Sequence, residues 1–255
     1  MSNLQLFPPD RRDAVRAALE AAFGVWRVGD FHPVGGGVSG ALIFRFEVRE
    51  RSHVVRLEPD RIHLQDRQRH FACMLGAVEA GVAPRVHYAD AAQGIAVTDF
   101  IHGRPLSEHA GGSVGLALAR ALGVLTARLR TAPDFPSMGG YPEIIAVMLK
   151  RLAESALFKT GELDAHAEGL ADIRSALPWD PASLVPSHND PNPRNILLDG
   201  DRLWLIDWEL AARNDPLVDI AILSTGLGET PELDTALLEG RLVARRTSHC
   251  GRGWR

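Results

Sequence analysis

The chain has 255 residues, is 45% hydrophobic and carries a formal net charge of −4. That is enough apolar material for one large domain or two small lobes, and the acidic balance argues against a general nucleic-acid binder, which would carry a basic excess. The opening residues MSNLQLFPPDRR lack the apolar core of a signal peptide, and no segment is long and apolar enough to span a bilayer, so the expectation is a cytoplasmic protein with neither nucleic acid nor membrane as partner. The two cysteines, Cys73 and Cys250, form no metal-ligand spacing and no disulfide framework.

In chain order, Asp10 is placed to cap a helix that runs to about Phe23, with Val15, Leu19 and Ala22 on one face and Gly24 as its stop. Residues 25–34 and 41–57 hold short runs of Val, Phe and Ile around PVGGGVSG, which predicts a strand, a glycine-rich turn, a strand, a turn at Glu50-Arg51-Ser52 and a strand. Residues 65–80 read as a helix ending at Gly81, and VAPRVHYAD and GIAVTDFI as two further strands. The sum is a small, mostly antiparallel sheet with one helix inserted. After HGRPL at 102–106 the pattern changes: 113–131, 142–157 and 163–176 space Leu, Ala, Val and Ile as helices do, around the loop APDFPSMGG at 132–140. The expected division is residues 1–103 and 104–255. Residues 184–207 read as loop, strand, turn and strand, and another helix begins in Asp215–Leu223, with Pro216 suited to its first turn.

The chemistry concentrates in SHNDPNPRNILLDGDRLWLID. Asp190 follows His188 by two residues, Asn195 follows Asp190 by five, and a hydrophobic hairpin then delivers Asp207. Phosphoryl transfer needs a base for the acceptor hydroxyl and oxygen ligands for magnesium. Asp190 suits the first role; Asn195 and Asp207 suit the second. Alone, Asp190 would read as a turn or capping residue; the combined pattern is far more specific. His188 is expected to orient the loop through hydrogen bonds. Upstream, Gly36 and Gly37 allow close backbone approach and Ser39 adds a hydroxyl, as a cover for phosphates requires. A glycine-rich hairpin turn without a ligand is the plainer alternative. Arg56, in VVRLEP, sits on a strand with apolar neighbours, where a cation is costly unless paired. A nucleotide phosphate would pair it; an edge-strand arginine in solvent is the other reading.

Over roughly residues 30–225 the chain resembles the aminoglycoside phosphotransferase and choline kinase family, which shares a fold with protein kinases. HNDPNPRNILL resembles its catalytic loop, LIDWELA followed by NDPLVDIA its metal-binding segment, TDFIHG at 98–103 its hinge and GVAPRVHYAD the segment before the hinge. The resemblance implies a two-lobed, protein-kinase-like α+β fold, with a small antiparallel N-lobe holding one helix and a larger, mainly helical C-lobe. It implies ATP and Mg2+ as cofactors, Asp190 as base, Asn195 and Asp207 as metal ligands, and Asp219 as the residue that pins the catalytic region. Arg56 takes the place of an ATP-binding lysine, as in the choline-kinase branch. Three departures stand out. The family's N-lobe helix usually carries a Glu paired with the basic strand residue; here His70 falls near that place and Asp66 one turn earlier, so either Asp66 pairs with Arg56 or the pair is absent. Gly40 replaces a loop Asn. The chain ends in RRTSHCGRGWR, polar, basic and without helical apolar spacing, where relatives continue with further helices; a disordered tail is expected, and the end of a truncated or frame-shifted protein is the other reading.

Trp208 and Glu209 follow the metal aspartate. A Trp face and a carboxylate suit an ammonium group, although core packing explains Trp208 as well. The implied reaction is ATP- and Mg-dependent transfer of the γ-phosphoryl group to a hydroxyl of a small amine-bearing metabolite, choline- or ethanolamine-like first and an aminoglycoside second. The alternative is a non-catalytic nucleotide-binding pseudokinase.

Overall fold

Alternation decides the first half of the chain. Along Leu42–Val48 (β2) and Arg51–Leu57 (β3), inward and outward residues succeed one another, as in a strand with one face in a core. The structure, a computed structural model, describes residues 4–25, 28–35, 40–59, 66–109, 114–133, 135–138, 141–155, 157–176 and 180–250. The short β1, His32–Pro33, precedes these two and, among the described residues, is all of the strand expected over 25–34 that forms. The β2–β3 turn is Arg49-Glu50, one residue earlier than expected, with φ of 51° and 63°. Two successive left-handed residues match the right-handed twist of a tight hairpin. Val86–Asp90 (β4) and Ile95–Asp99 (β5) complete an antiparallel sheet of order β1-β2-β3-β5-β4.

One face of this sheet buries Phe44, Phe46, Val55 and Val97 against helix α1, Arg12–Phe23, with Phe7 and Phe31 filling the edge. A 3-10 turn at Pro9–Arg11 leads into α1 and no side chain caps it, so Asp10 does not serve as its cap. Gly24 stops it as expected, at φ 71°. Helix α2, Arg67–Glu79, packs on the second core and is capped by Asp66, whose carboxylate accepts the Arg69 N–H at 3.2 Å.

The second lobe is mainly helical. Its elements are β6 (Arg104–Pro105), α3 (Leu116–Leu129), α4 (Tyr141–Glu154), α5 (Asp164–Ala176), β7 (Val185–Ser187), β8 (Ile196–Asp199), β9 (Arg202–Leu205), β10 (Ala212–Asn214), α6 (Val218–Leu227) and α7 (Pro231–Cys250). Strands pair antiparallel as β6-β8-β9 and β10-β7. Leu122, Leu129, Ile196, Leu205, Leu223 and Leu237 form its core, continuous with Phe71, Cys73 and Ala77 of α2. Helices α3 and α7 cross at van der Waals distance through glycines: a Cβ on Gly123 would lie 2.0 Å from the Leu237 carbonyl oxygen, and one on Gly240 2.0 Å from that of Arg120. Helix α7 continues to Cys250, so residues 245–250 are helical where a disordered tail is expected; residues 251–255 lie outside the described residues. Helix α6 begins at Val218, so Pro216 precedes its first turn. Among the described residues no helix is long and apolar enough to cross a membrane.

Candidate active site

Strand β7 ends at Ser187, and the next three residues turn under tight control. Asp219, in the first turn of α6, accepts the backbone N–H of His188 at 2.9 Å and of Asn189 at 2.8 Å. Asn189 is left-handed, with φ of 64°, a conformation Asn tolerates better than most residues. Its side-chain N–H donates to the Leu210 carbonyl at 2.9 Å and its oxygen accepts from Asn214 at 2.7 Å. His188 is fully buried, donates from Nε2 to the Ile206 carbonyl at 2.9 Å, and packs its ring 4.6 Å from that of Trp208. Burial pushes His188 below its ordinary pKa, against the opposing pull of Asp219. A neutral, enclosed imidazole is an orienting group. Burial likewise pushes the Asp219 carboxyl above its ordinary value, although His188 and the two N–H groups oppose it.

This framework presents Asp190 between two amides. Its Oδ1 accepts from Asn192 Nδ2 at 2.8 Å and its Oδ2 from Asn195 Nδ2 at 2.9 Å. Asn195 Nδ2 also donates to the Asp190 carbonyl at 3.0 Å. With both bonds made from Nδ2, the Asn195 oxygen has no protein hydrogen-bond partner among the described residues. The Asn195 backbone carbonyl accepts from Ile206 N–H at 3.0 Å, which sets Asp207 beside it. Asp207 is itself left-handed, at φ 66°, an unfavourable setting for a side chain that the surrounding structure imposes.

Arg56 reaches Asp207 from β3. Its Nη1 lies 3.4 Å from Asp207 Oδ1, its Nη2 pairs closely with Glu209, and its Nε is 3.6 Å from Glu58. Of the two expectations about the helix acid, the second holds: Asp66 is occupied as a cap, and among the described residues no acid of α2 pairs with Arg56. Arg56 is paired instead by Glu58, just past the end of β3. Helix α2 supplies His70, whose Nδ1 lies 2.8 Å from Glu58, and Arg67, at 3.3 Å. Burial alone would raise the Glu58 carboxyl, but the His70 hydrogen bond and charge, with Arg56 and Arg67, hold it below its ordinary value. Arg69 of α2 ties the lobes together: Nη2 donates to the Glu209 carbonyl at 3.0 Å and Nη1 to that of Ala211.

The structure thus brings Asp190, Asn195, Asp207, Arg56, His188 and Asp219 into one network. It places Trp208 in the core, 3% exposed, against His188 and Phe135, and engages Glu209 with Arg56. Gly36, Gly37 and Ser39 lie outside the described residues; Gly40 beside them is left-handed at φ 75°. Sequence reasoning missed Glu58, Asn189, Asn192 and Asn214. Glu58 lies just past the end of β3, where no local pattern marks it as a partner of Arg56.

The profile of the Phosphotransferase enzyme family matches residues 30–254. The chain belongs to this family. The chain is similar, at 25% identity and a TM-score of 0.67, to a choline/ethanolamine kinase family protein from Mesorhizobium loti, over 91% of this chain and 76% of that one. Its fold is that of the choline kinase LicA from Streptococcus pneumoniae (17% identity, TM-score 0.68, 91% and 80% covered) and of spectinomycin phosphotransferase APH(9)-Ia, solved with ADP and spectinomycin (14%, 0.60, 90% and 79%). Protein LicA of Haemophilus influenzae is 48% identical over 56 residues, 22% of this chain, which thereby spans about a fifth (21%) of that curated relative.

Proposed function

We propose that this chain is an ATP- and Mg-dependent kinase of small hydroxyl compounds, with residues 1–103 holding the nucleotide and 104–255 carrying catalysis and the acceptor. The observation that carries this reading is the Asp190–Asn195 contact, which leaves one amide oxygen unclaimed beside Asp207. An amide oxygen and a carboxylate are the hard donors that suit magnesium, so the residues present fit the ion. Bound there, Mg2+ would neutralise charge on the nucleotide phosphates. Asn192 and Asn195 fix the plane of the Asp190 carboxylate while each of its oxygens keeps a second lone pair. Asp190 then takes the proton of the acceptor hydroxyl. The hydroxyl oxygen bonds to the γ-phosphorus as the bond to the β,γ-bridging oxygen breaks and ADP leaves. Arg56, aimed at Asp207 and Glu209, is placed to exchange a carboxylate for a phosphate.

For the acceptor we favour a choline- or ethanolamine-like amino alcohol. The Mesorhizobium likeness, the LicA segment and an arginine on β3 support it; an aminoglycoside is second. Trp208 is buried in the core and does not serve as its binding group, whereas Glu209 becomes open to an ammonium group once Arg56 exchanges it for a phosphate. The test is ADP release by the purified protein with choline, ethanolamine, thiamine, homoserine and several aminoglycosides, beside Asp190→Asn. Turnover of one acceptor, lost by at least about 100-fold in the variant with Mg-ATP affinity retained, is expected. Nucleotide binding without turnover of any acceptor would instead favour the non-catalytic reading, and full activity of Asp190→Asn would remove the base assignment.

A further inference from the structure

A second cluster of titratable groups lies on the other face of the sheet. Side chains alternate along β3, so His53 points away from the face that carries Arg56 and towards α1. Its cross-strand partner on β5 is Asp99. On β4 the register slips between Val86 and Tyr88, which makes His87 the extra residue of a β-bulge, a feature that re-aims a side chain. The three donors converge. Asp99 Oδ1 lies 2.6 Å from His87 Nε2 and 3.5 Å from His53 Nδ1, and one ligand atom from each residue falls within 4.8 Å of the other two. Phe23, the last residue of α1, roofs the cluster with its ring 4.6 Å from His53 and 5.2 Å from His87.

The geometry points to a divalent transition-metal site of the zinc class, formed by His53, His87 and Asp99. Two observations beyond the clustering support it. His53 is 4% exposed, yet its Nδ1 has no hydrogen-bond partner and faces the carboxylate. An orphaned buried nitrogen is costly, and a metal bond would satisfy it. The spacing also fits: ligands of a tetrahedral Zn2+ at about 2.0–2.1 Å stand about 3.3 Å apart. The His53–Asp99 separation of 3.5 Å already matches, and the His87–Asp99 hydrogen bond of 2.6 Å needs to open by roughly 0.7 Å. Two imidazoles and one carboxylate select zinc-like ions over magnesium or calcium, which take oxygen donors. Three protein ligands leave a fourth position for water, and Asp99, the most exposed of the three, marks the open side. Because Asp99 ends β5, just before residues 100–103, a bound ion would fasten three strands where the sheet leads into the second lobe.

The test uses tag-free, full-length protein, stripped with a chelator and titrated with Co2+ alone in excess Mg2+, so that oxygen-donor sites are occupied. One equivalent of Co2+ with the strong visible absorption of four-coordinate cobalt is expected, displaced by one equivalent of Zn2+. His87→Gln should lose this absorption and weaken Zn2+ binding by more than about 100-fold, the upper end for outer-sphere changes, with its circular dichroism unchanged. His87→Cys, which keeps a ligand, should restore binding and add a thiolate-to-cobalt band. Asn195→Ala, in the other site, should leave the signal intact. Absence of the visible band in the wild-type protein, or its persistence in His87→Gln, would overturn the assignment; so would its loss in Asn195→Ala.

Discussion

Glu58→Gln isolates the anion on which the first lobe's polar centre depends. Glu58 is 1% exposed and lies within 3.6 Å of Arg56, Arg67 and His70. Removing one partner of a buried pair destabilises by about 3–5 kcal/mol. Arg56 keeps Asp207 and Glu209, while Arg67 is 19% exposed and still reaches backbone carbonyls. Only His70 loses its one charged partner among the described residues, so the low end applies, about 3 kcal/mol. With a urea m-value near 3 kcal/mol/M for a chain of this size, the midpoint should fall by about 1 M. The pH dependence provides a second arm. Glu58 has a native value below its ordinary 4.5, so its contribution is complete above pH 4.5 and fades as pH falls through the lowered native value. Urea unfolding of wild type and Glu58→Gln at neutral pH, then in steps below pH 4.5, should show the gap closing. A gap under about 1 kcal/mol at neutral pH, or one that stays constant into acid, would refute the reasoning.

Two further substitutions probe the frame. Asp219→Ala strands the buried N–H groups of His188 and Asn189 and should destabilise by about 3 kcal/mol, with Asp219→Asn milder because one acceptor remains; equal denaturation midpoints for the two would contradict this. Gly123→Ala puts a methyl 2.0 Å from the Leu237 carbonyl oxygen and must force α3 and α7 apart by roughly 1 Å, at a cost of about 3 kcal/mol, the upper end for overpacking. An unchanged thermal midpoint would mean that α7 is not seated on α3.

The loop from His188 to Asp207 was legible because its information is local. The offsets among His188, Asp190, Asn195 and Asp207 survive in one dimension, since a short hairpin joins them. Helices with clear apolar periodicity were legible for the same reason. Glu58 was not, because LEPD at a strand end reads as a solvated turn until His70 and Arg67 of α2 fold over it. The carrier of the acid moved from helix to strand, and the histidine near the expected helix position became its partner. The end of α7 was missed in a different way. Residues past Ala244 have no apolar period of their own, and the helix is carried through them from the docked stretch at Leu233, Ala236 and Leu237. The extra turn at Pro9–Arg11 pre-empted Asp10 as a cap, a competition between two local structures that composition does not rank.

Arg69 gives the two lobes an unusual kind of tie. It grips the main-chain oxygens of Glu209 and Ala211, and every amino acid supplies such an oxygen. The grip therefore fixes the position of the stretch after Asp207 without using the Glu209 carboxylate, which stays with Arg56. The same grip makes the tilt of α2 and the placement of Asp207 a single mechanical coordinate. Whatever shifts the helix arrives two residues from the carboxylate through the main chain, as well as through the His70–Glu58–Arg56 contacts that end on Asp207.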